Sequence, residues 1–187
     1  VSVRFIRPRE VADRMLIRTL GRDDLEEVIE VQRSAYPGAL IESPASFAMK
    51  LEVWPSGALG AFDGRDMIAY LFCHPWTAGE VAPLDALELA LPEPPSCFYV
   101  HDLAVRADRR GQGVGDRLAA EAVRIAEARS LSCALVAVLD SRPFWERHGF
   151  VPKRELEYGD GVRAWYMVRE GAVPGQSPIR RWHRRYR

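Results

Sequence analysis

The chain opens its ordered pattern with a short apolar stretch, Met15–Thr19, that reads as a strand. From Gly21 the spacing turns helical: Leu25, Val28 and Ile29 fall on one face, Asp23 stands in cap position with Glu26 three residues on, and Pro37 ends the run. A second helix is predicted over SPASFAMKLEVW, with Ser43 as cap and Pro44 in the first turn. Two strands follow, Gly57–Phe62 and Met67–Cys73, separated by the turn DGRD. A connection from Pro75 to Ser96 carries five prolines and the acids Glu80, Asp85, Glu88 and Glu93. A connection of this length is either a functional, mobile loop or a solvated excursion. The strand CFYVHDLAV comes next, then RADRRGQGVG and a helix to about Arg129 whose apolar face is Val114, Leu118, Ala122 and Ile125. CALVAVL, Cys133 to Leu139, reads as a buried strand. SRPFWERHG reads as a short helix closed by Gly149, and ELEYGDGVRAWYMV as a hairpin turning at Asp160-Gly161. Strands and helices in this order predict an α/β sheet covered on both faces.

Composition narrows the class. The 187 residues are 48% hydrophobic and 28% charged, a globular balance in the size range of one domain. Lys plus Arg number 26 and Asp plus Glu 26, so no whole-protein basic field for nucleic acid exists. No apolar run approaches the roughly 18 residues needed to span a bilayer. VSVRFIRPREVADR has no apolar signal core, so no secretion is expected and a cytoplasmic setting is. Cys73, Cys97 and Cys133 are an odd, widely spaced set, which reads as three reduced, buried thiols. The alternative, a metal site of Cys73, His74, Cys97 and His101, lacks a close ligand pair, and no metal is expected. The last ten residues hold five Arg and no acid. They form a flexible terminus or a contact for RNA, membrane or another subunit.

The most informative segment is Arg110-Gly111-Gln112-Gly113-Val114-Gly115, between a strand and a helix start. Glycines let the backbone approach a ligand, and the first turn of a helix offers free N–H groups and a positive dipole end. The combination suits a pyrophosphate, and equally a structural tight turn. It lacks both the Lys-Ser/Thr ending of a triphosphate loop and the G-x-G-x-x-G spacing of a dinucleotide fold. On the preceding strand, alternation groups Tyr99, His101, Leu103 and Val105 on one face, and Phe98, Val100, Asp102 and Ala104 on the other.

HDLAVRADRRGQGVG resembles the central R/Q-x-x-G-x-G/A motif of the GNAT superfamily of acetyl-CoA-dependent N-acetyltransferases, and PFWERHGF resembles its F-Y-x-x-x-G-F segment. The resemblance covers about Arg14 to Arg169 and implies a mixed, mostly antiparallel central sheet with a splayed strand pair and helices on both faces. It leaves residues 1–13 as an N-terminal extension, 14–170 as the acetyltransferase domain and 171–187 as a basic tail. It implies that the backbone of Leu103, Ala104 and Val105 pairs with pantetheine, that Arg110 through Gly115 cradle the pyrophosphate, and that Ser141 and Phe144 lie by the thiol end. Phe144 could equally be plain core packing. The chain is similar to the arylalkylamine subgroup in its long connection and in His101, but has Tyr99 where that subgroup has a second histidine.

An alkylamine with a pKa near 10 arrives protonated and needs a base. His101 is either that base or a histidine satisfied within the sheet, and Tyr99 is the second candidate for the catalytic set. Trp145 stands where many family members place a tyrosine that protonates the leaving thiolate. Indole N–H is no usable acid, so Trp145 reads as a wall of the acyl pocket. Water, Ser141 or a tyrosine from elsewhere must serve, or the thiolate leaves as such. His74 reads as structural, and Glu42 and the loop acids could attract a cationic amine. The expected reaction is direct acetyl transfer to a small primary amine. The alternatives are a protein N-terminal or lysine acetyltransferase, a non-catalytic acyl-CoA sensor, and RNA binding through the tail. A homodimer is compatible with the sequence.

Overall fold

The computed structural model describes residues 14–171. The extension at 1–13 and the basic tail beyond residue 171 lie outside the described residues. Seven strands form one sheet: β1 (Leu16–Thr19), β2 (Ala58–Asp63), β3 (Asp66–Trp76), β4 (Cys97–Val105), β5 (Ser132–Ala137), β6 (Val151–Tyr158) and β7 (Val162–Arg169), in the order β1-β2-β3-β4-β5-β7-β6. Every pairing is antiparallel except β4 with β5. That pair is joined by a helical crossover, the connection a parallel pair requires. The helices are α1 (Leu25–Ala35), α2 (Pro44–Val53), α3 (Val114–Glu127) and α4 (Arg142–Arg147).

Packing is two-sided. Val114, Leu118, Ala122 and Ile125 of α3, with Trp145 of α4, bury Leu71, Cys73, Phe98 and Leu135 on one face. On the other, Val28 and Val31 of α1 and Phe47 and Leu51 of α2 cover Tyr70, Phe72 and Ala104. The 77–96 connection closes the rest of that second face. Its Ala82 packs with Tyr99, Ala134 and Tyr166, and its Gly79 N–H donates to the Tyr166 hydroxyl at 2.8 Å. The connection is thus a packed cover over the sheet, and β3 runs on through His74-Pro75-Trp76 to meet it.

Ser43 caps α2 as expected, its hydroxyl accepting from Ser46 N–H at 3.2 Å, with Pro44 in the first turn. The start of α1 differs. A 3-10 turn at Arg22–Asp24 precedes it, and Asp24, not Asp23, accepts from Gly21 N–H at 2.8 Å while pairing with Arg18 at 2.6 Å. β5 stops at Ala137 rather than Leu139. Leu139 and Asp140 take φ of 50° and 58° and swing the chain into α4.

The strict alternation expected of β4 does not hold. Phe72 pairs with Asp102 and Cys73 with Val100, so His101 has no residue opposite it on β3. This is a bulge, which re-aims every side chain after it. Leu103 and Val105 join Phe98 and Val100 on the α3 face, and Ala104 faces α1 and α2. His101 and Asp102 both lie on the α1/α2 side, where Glu42 and the Tyr36 and Tyr70 hydroxyls meet them.

Candidate functional site

β4 and β5 pair only from Cys97–Val100 to Ser132–Leu135, although both strands continue. Beyond that point they diverge and open a cleft of about 320 Å³. Leu103, Ala104 and Val105 line one wall; Val136, Val138, Leu139, Ser141 and Phe144 line the other. The edge of β4 beyond Val100 has no strand partner on the β5 side, so its main chain is available to an extended ligand.

Past Val105 the loop reaches α3. Gly111 and Gly113 have φ of 71° and 80°, the left-handed region that favours glycine. Gly113 is the cap of α3, and the first intrahelical bond is Arg117 N–H to Gly113 O at 3.2 Å. The N–H groups of Val114, Gly115 and Asp116 therefore lack helical acceptors. Nothing lies within 4 Å of where a Cβ on Gly111 would stand, and one on Gly115 would meet the Phe144 ring and Val105 at 3.5 Å. Val114 buries its side chain in the core and offers only its backbone. Gln112 donates to Asp108 O at 3.3 Å, and its buried Oε1 has no partner. Arg110 is exposed but tethered, donating to Ala35 O at 2.8 Å and to Val105 O at 3.4 Å. Bare main-chain donors under an open, Cβ-free approach fit a pyrophosphate.

At the other end of the cleft stand Tyr36, Glu42, His101, Asp102 and Tyr158. Gln32 fixes Glu42 by bonding its backbone twice, Glu42 N–H to Oε1 at 2.7 Å and Nε2 to Glu42 O at 2.9 Å. Four donors converge on Glu42 Oε2: Lys50 Nζ at 2.5 Å, Asp85 N–H at 2.8 Å, Ser46 Oγ at 3.1 Å and His101 Nε2 at 3.3 Å. Burial alone would raise the Glu42 carboxyl, but His101 and Lys50 outweigh it and hold Glu42 well below the carboxylate range. Burial lowers His101, the Lys50 cation adds to that, and the imidazole is neutral despite Glu42. Next to a carboxylate, Nε2 carries the proton, which leaves the lone pair on Nδ1. Nδ1 is buried without a partner.

Asp102 is gripped by tyrosines, with Tyr70 Oη 2.5 Å from Oδ2 and Tyr36 Oη 2.6 Å from Oδ1. Burial, with Glu42 nearby, pushes its carboxyl up to about 6, against the hydroxyl bonds that lower it. Tyr36 Oη also lies 2.9 Å from Leu103 O, which ties this end to the open edge of β4.

Of the residues singled out from sequence, Leu103–Val105, Arg110, Gly115, Ser141, Phe144 and His101 line one cleft. Tyr99 does not. Its ring is 1% exposed and packs with Ala82, Ala134 and Tyr166, 6.2 Å from the His101 ring. Phe144 does both things asked of it, lining the cleft while stacking on Trp145 and His148. Trp145 also reaches the cleft and packs against Phe150. His74 is buried, with Nδ1 2.9 Å from Pro75 O, and burial lowers it to about 3.

The metal alternative does not assemble. Cys73 faces the α3 side and donates to Gly57 O, while His74, Cys97 and His101 lie on the other face. Burial pushes Cys97 to about 11, Cys133 to about 12 and Cys73 well up, so none is a ready thiolate nucleophile. Among the described residues no group of three or more His, Cys, Asp or Glu is arranged for a metal ion, and no helix is long and apolar enough to cross a membrane.

Tyr36, Lys50, Asp102 and Tyr158 escaped the sequence reading, and Glu42 was given only a loose charge role. A faint signal existed for Lys50. Ser46 and Lys50 sit at i, i+4 beside Phe47 and Leu51 on the predicted helix, so a lysine falls on an inward face. Nothing marked Asp102, because the bulge that turns it is invisible in the alternation.

A profile of the acetyltransferase (GNAT) family matches residues 25–150. No curated protein matches the chain. Among solved structures, the loading GNATL domain of CurA from Lyngbya majuscula superposes with a TM-score of 0.74 at 12% identity, covering 83% of this chain and 97% of that one. Naa20 of Chaetomium thermophilum, in complex with a bisubstrate analogue, gives 0.67 at 15%, covering 83% and 86%. The GphF GNAT-like decarboxylase, in complex with isobutyryl-CoA, gives 0.69 at 14%, covering 83% and 98%. At such identities these likenesses are of fold.

Proposed function

Because this chain belongs to the GNAT acetyltransferase family, we propose that it moves an acetyl group from acetyl-CoA to a primary amine, a small molecule, by direct attack in a ternary complex. One observation carries the reading: the gap between β4 and β5 runs without a break from the bare N-terminus of α3 to the Glu42–His101 pair. The loop and first turn at Arg110–Gly115 would hold the pyrophosphate, and the free edge at Leu103–Val105 the pantetheine. Ser141 and Phe144 would flank the thioester.

An ammonium group is drawn to this end of the cleft by Asp102, whose carboxylate is bonded by the neutral Tyr36 and Tyr70 hydroxyls. His101 Nδ1 takes its proton. The His101 side chain is only 1% exposed, so the transfer runs through one water. The freed lone pair forms the new C–N bond at the acyl carbonyl, and main-chain N–H groups near Leu103–Val105 meet the oxyanion. As the C–S bond breaks, the nitrogen sheds its second proton to the departing sulfur or to solvent, and departure as thiolate is tolerable for a thiol of pKa near 8.5. Tyr158 lines the cleft, and burial keeps its hydroxyl protonated, so it can relay the nitrogen's second proton to the sulfur, giving one proton and taking one, where Trp145 cannot. Tyr99, with its ring behind His101, acts by packing. The arylalkylamine-like pattern around His101 supports a compact amine.

The test is calorimetry with acetyl-CoA, then thiol release over a panel of amines and peptides. Binding together with turnover fastest on small primary amines is the expected result. Turnover confined to peptides would make the chain a protein acetyltransferase. Tight binding with no acceptor-dependent turnover would make it a sensor. No heat with acetyl-CoA or its longer-chain relatives would overturn all three.

A further inference from the structure

The reaction proposed above gives Lys50 nothing to do, yet its ammonium bonds the same carboxylate oxygen as His101. The side chain is 4% exposed on α2, and lysine is almost never fully buried unless paired. Nζ donates to Glu42 Oε2 at 2.5 Å and to Ser46 Oγ at 2.9 Å, and lies 5.0 Å from the centre of the Phe47 ring. The same oxygen of Glu42 receives His101 Nε2. Burial lowers the Lys50 ammonium, the bond to Glu42 opposes that, and the cation and an imidazole share one buried carboxylate.

We propose that Lys50 is a positioning residue that, through Glu42, keeps His101 neutral with its proton on Nε2, and so keeps the Nδ1 lone pair open to the acceptor amine. The assignment rests on the acyl-transfer reading for its purpose, but not for its physics. A buried carboxylate needs a counter-charge or a proton. Without Lys50, Glu42 has two ways to obtain one. Either it takes a proton itself, and no longer fixes which nitrogen of His101 carries hydrogen, or His101 becomes an imidazolium and has no lone pair left. The ammonium removes both options by supplying the charge first.

No other neighbour can do this. The titratable groups packed around His101 are Glu42 before α2, Lys50 on α2, His74 on β3 with its ring at 5.7 Å, and Tyr99 and Asp102 on β4. Asp85 of the connection bonds Glu42 through its backbone N–H, and Tyr36 and Tyr158 line the same end of the cleft. His74 is neutral, the tyrosines are uncharged and the remaining members are acids. Lys50 is the one cationic side chain among them.

The experiment follows the histidine side chains of the isotopically labelled full chain by NMR from pH 5 to 9, without substrate, assigning His101 by its loss in His101→Ala. Wild type is expected to show His101 neutral, protonated on Nε2, across pH 6 to 8. In Lys50→Met the midpoint should rise by about one to three pH units, the size of an uncompensated neighbouring carboxylate. The acid limb of kcat/KM should move with it while acetyl-CoA affinity stays within about threefold. Lys50→Arg, which keeps the charge, should hold the midpoint low.

A His101 in Lys50→Met that keeps both its midpoint and its proton on Nε2 overturns the proposal, whatever the activity. If the midpoint moves but wild type acetylates no amine, the positioning role stands and the acyl-transfer reading falls. Should Lys50→Met fail to fold, Lys50→Gln, which can still donate toward Glu42 but carries no charge, is the neutral variant, and a His101 unmoved there in both midpoint and tautomer overturns the proposal.

Discussion

The two ends of the cleft are made of different materials. Toward α3, the donor end is main chain: six consecutive residues, Arg110 to Gly115, two of them glycines in the left-handed region, with Val114 buried in the core and Arg110 tethered to Ala35. Toward α2, the acceptor end is side chain: Tyr36, Glu42, Lys50, Tyr70, His101 and Asp102, drawn from separate segments and tied by bonds of 2.5 to 3.3 Å. The first end is a shape, so a change there acts on space and on one ligand. The second is a balance of charges, so a change at one member is felt by the others.

The sharpest way to test that division is Gly115→Glu. Its side chain would enter the mouth between Phe144 and Val105 and place a carboxylate where the diphosphate is proposed to sit. Acetyl-CoA affinity should fall at least about 100-fold by calorimetry. Stability should hardly change, because a Cβ there makes ordinary 3.5 Å contacts and an acid suits the first turn of a helix. Comparable losses of binding and of melting temperature would show that the donor end is not a mere shape.

His101→Ala probes the opposite end. Losing a base costs about 10² to 10⁴ in kcat, with acetyl-CoA binding kept. Stopped assays across pH 6 to 9 check it. An unchanged rate and pH profile would remove His101 from the chemistry and leave it as a packed histidine beside Glu42.

This contrast also explains what could be read in advance. The donor end is local in sequence, so RRGQGVG announced itself by residue type and spacing, and the fold followed from the strand before it and the helix after it. The acceptor end is assembled by tertiary structure. Its pivot is the bulge at His101, where one unpaired residue on β4 brings His101 and Asp102 to the same side. Strict alternation carried His101 correctly past Tyr99 but assigned Leu103 and Val105 to the wrong face. Lys50 was hidden for a related reason: a charged residue inside a helix reads as solvated until the carboxylate that buries it is known.

The charge balance makes a smaller, measurable claim about acid. His74 falls from 6.5 to about 3 in the folded chain. Below pH 6.5 the unfolded chain therefore takes up a proton that the folded chain refuses, and stability is lost at about 1.4 kcal/mol per pH unit until about pH 3. His101, also lowered, adds in the same direction. Asp102, raised to about 6, works against them between pH 6 and its unfolded value near 3.8. Denaturant melts from pH 7 to 4.5 should show a net loss with acid. His74→Phe should remove about 1.4 kcal/mol per unit of the slope, and an identical slope would mean that His74 is protonated in the fold.

The smallest expected effect lies where the two ends meet. Tyr158, on β6, lines the cleft that joins them, and its hydroxyl is 3.5 Å from Ala82 O. If it protonates the departing sulfur, Tyr158→Phe should matter only while thiolate is a poor leaving state. The loss in kcat should be about three- to tenfold near pH 7 and fade above pH 8.5, where the thiol ionises unaided. A loss of the same size at every pH would have a different origin. It would mean that the hydroxyl holds the 77–96 connection through Ala82 and shapes the acceptor end, which moves Tyr158 from proton transfer to packing. The pH dependence of one conservative substitution thus decides whether this tyrosine replaces the acid that Trp145 cannot be.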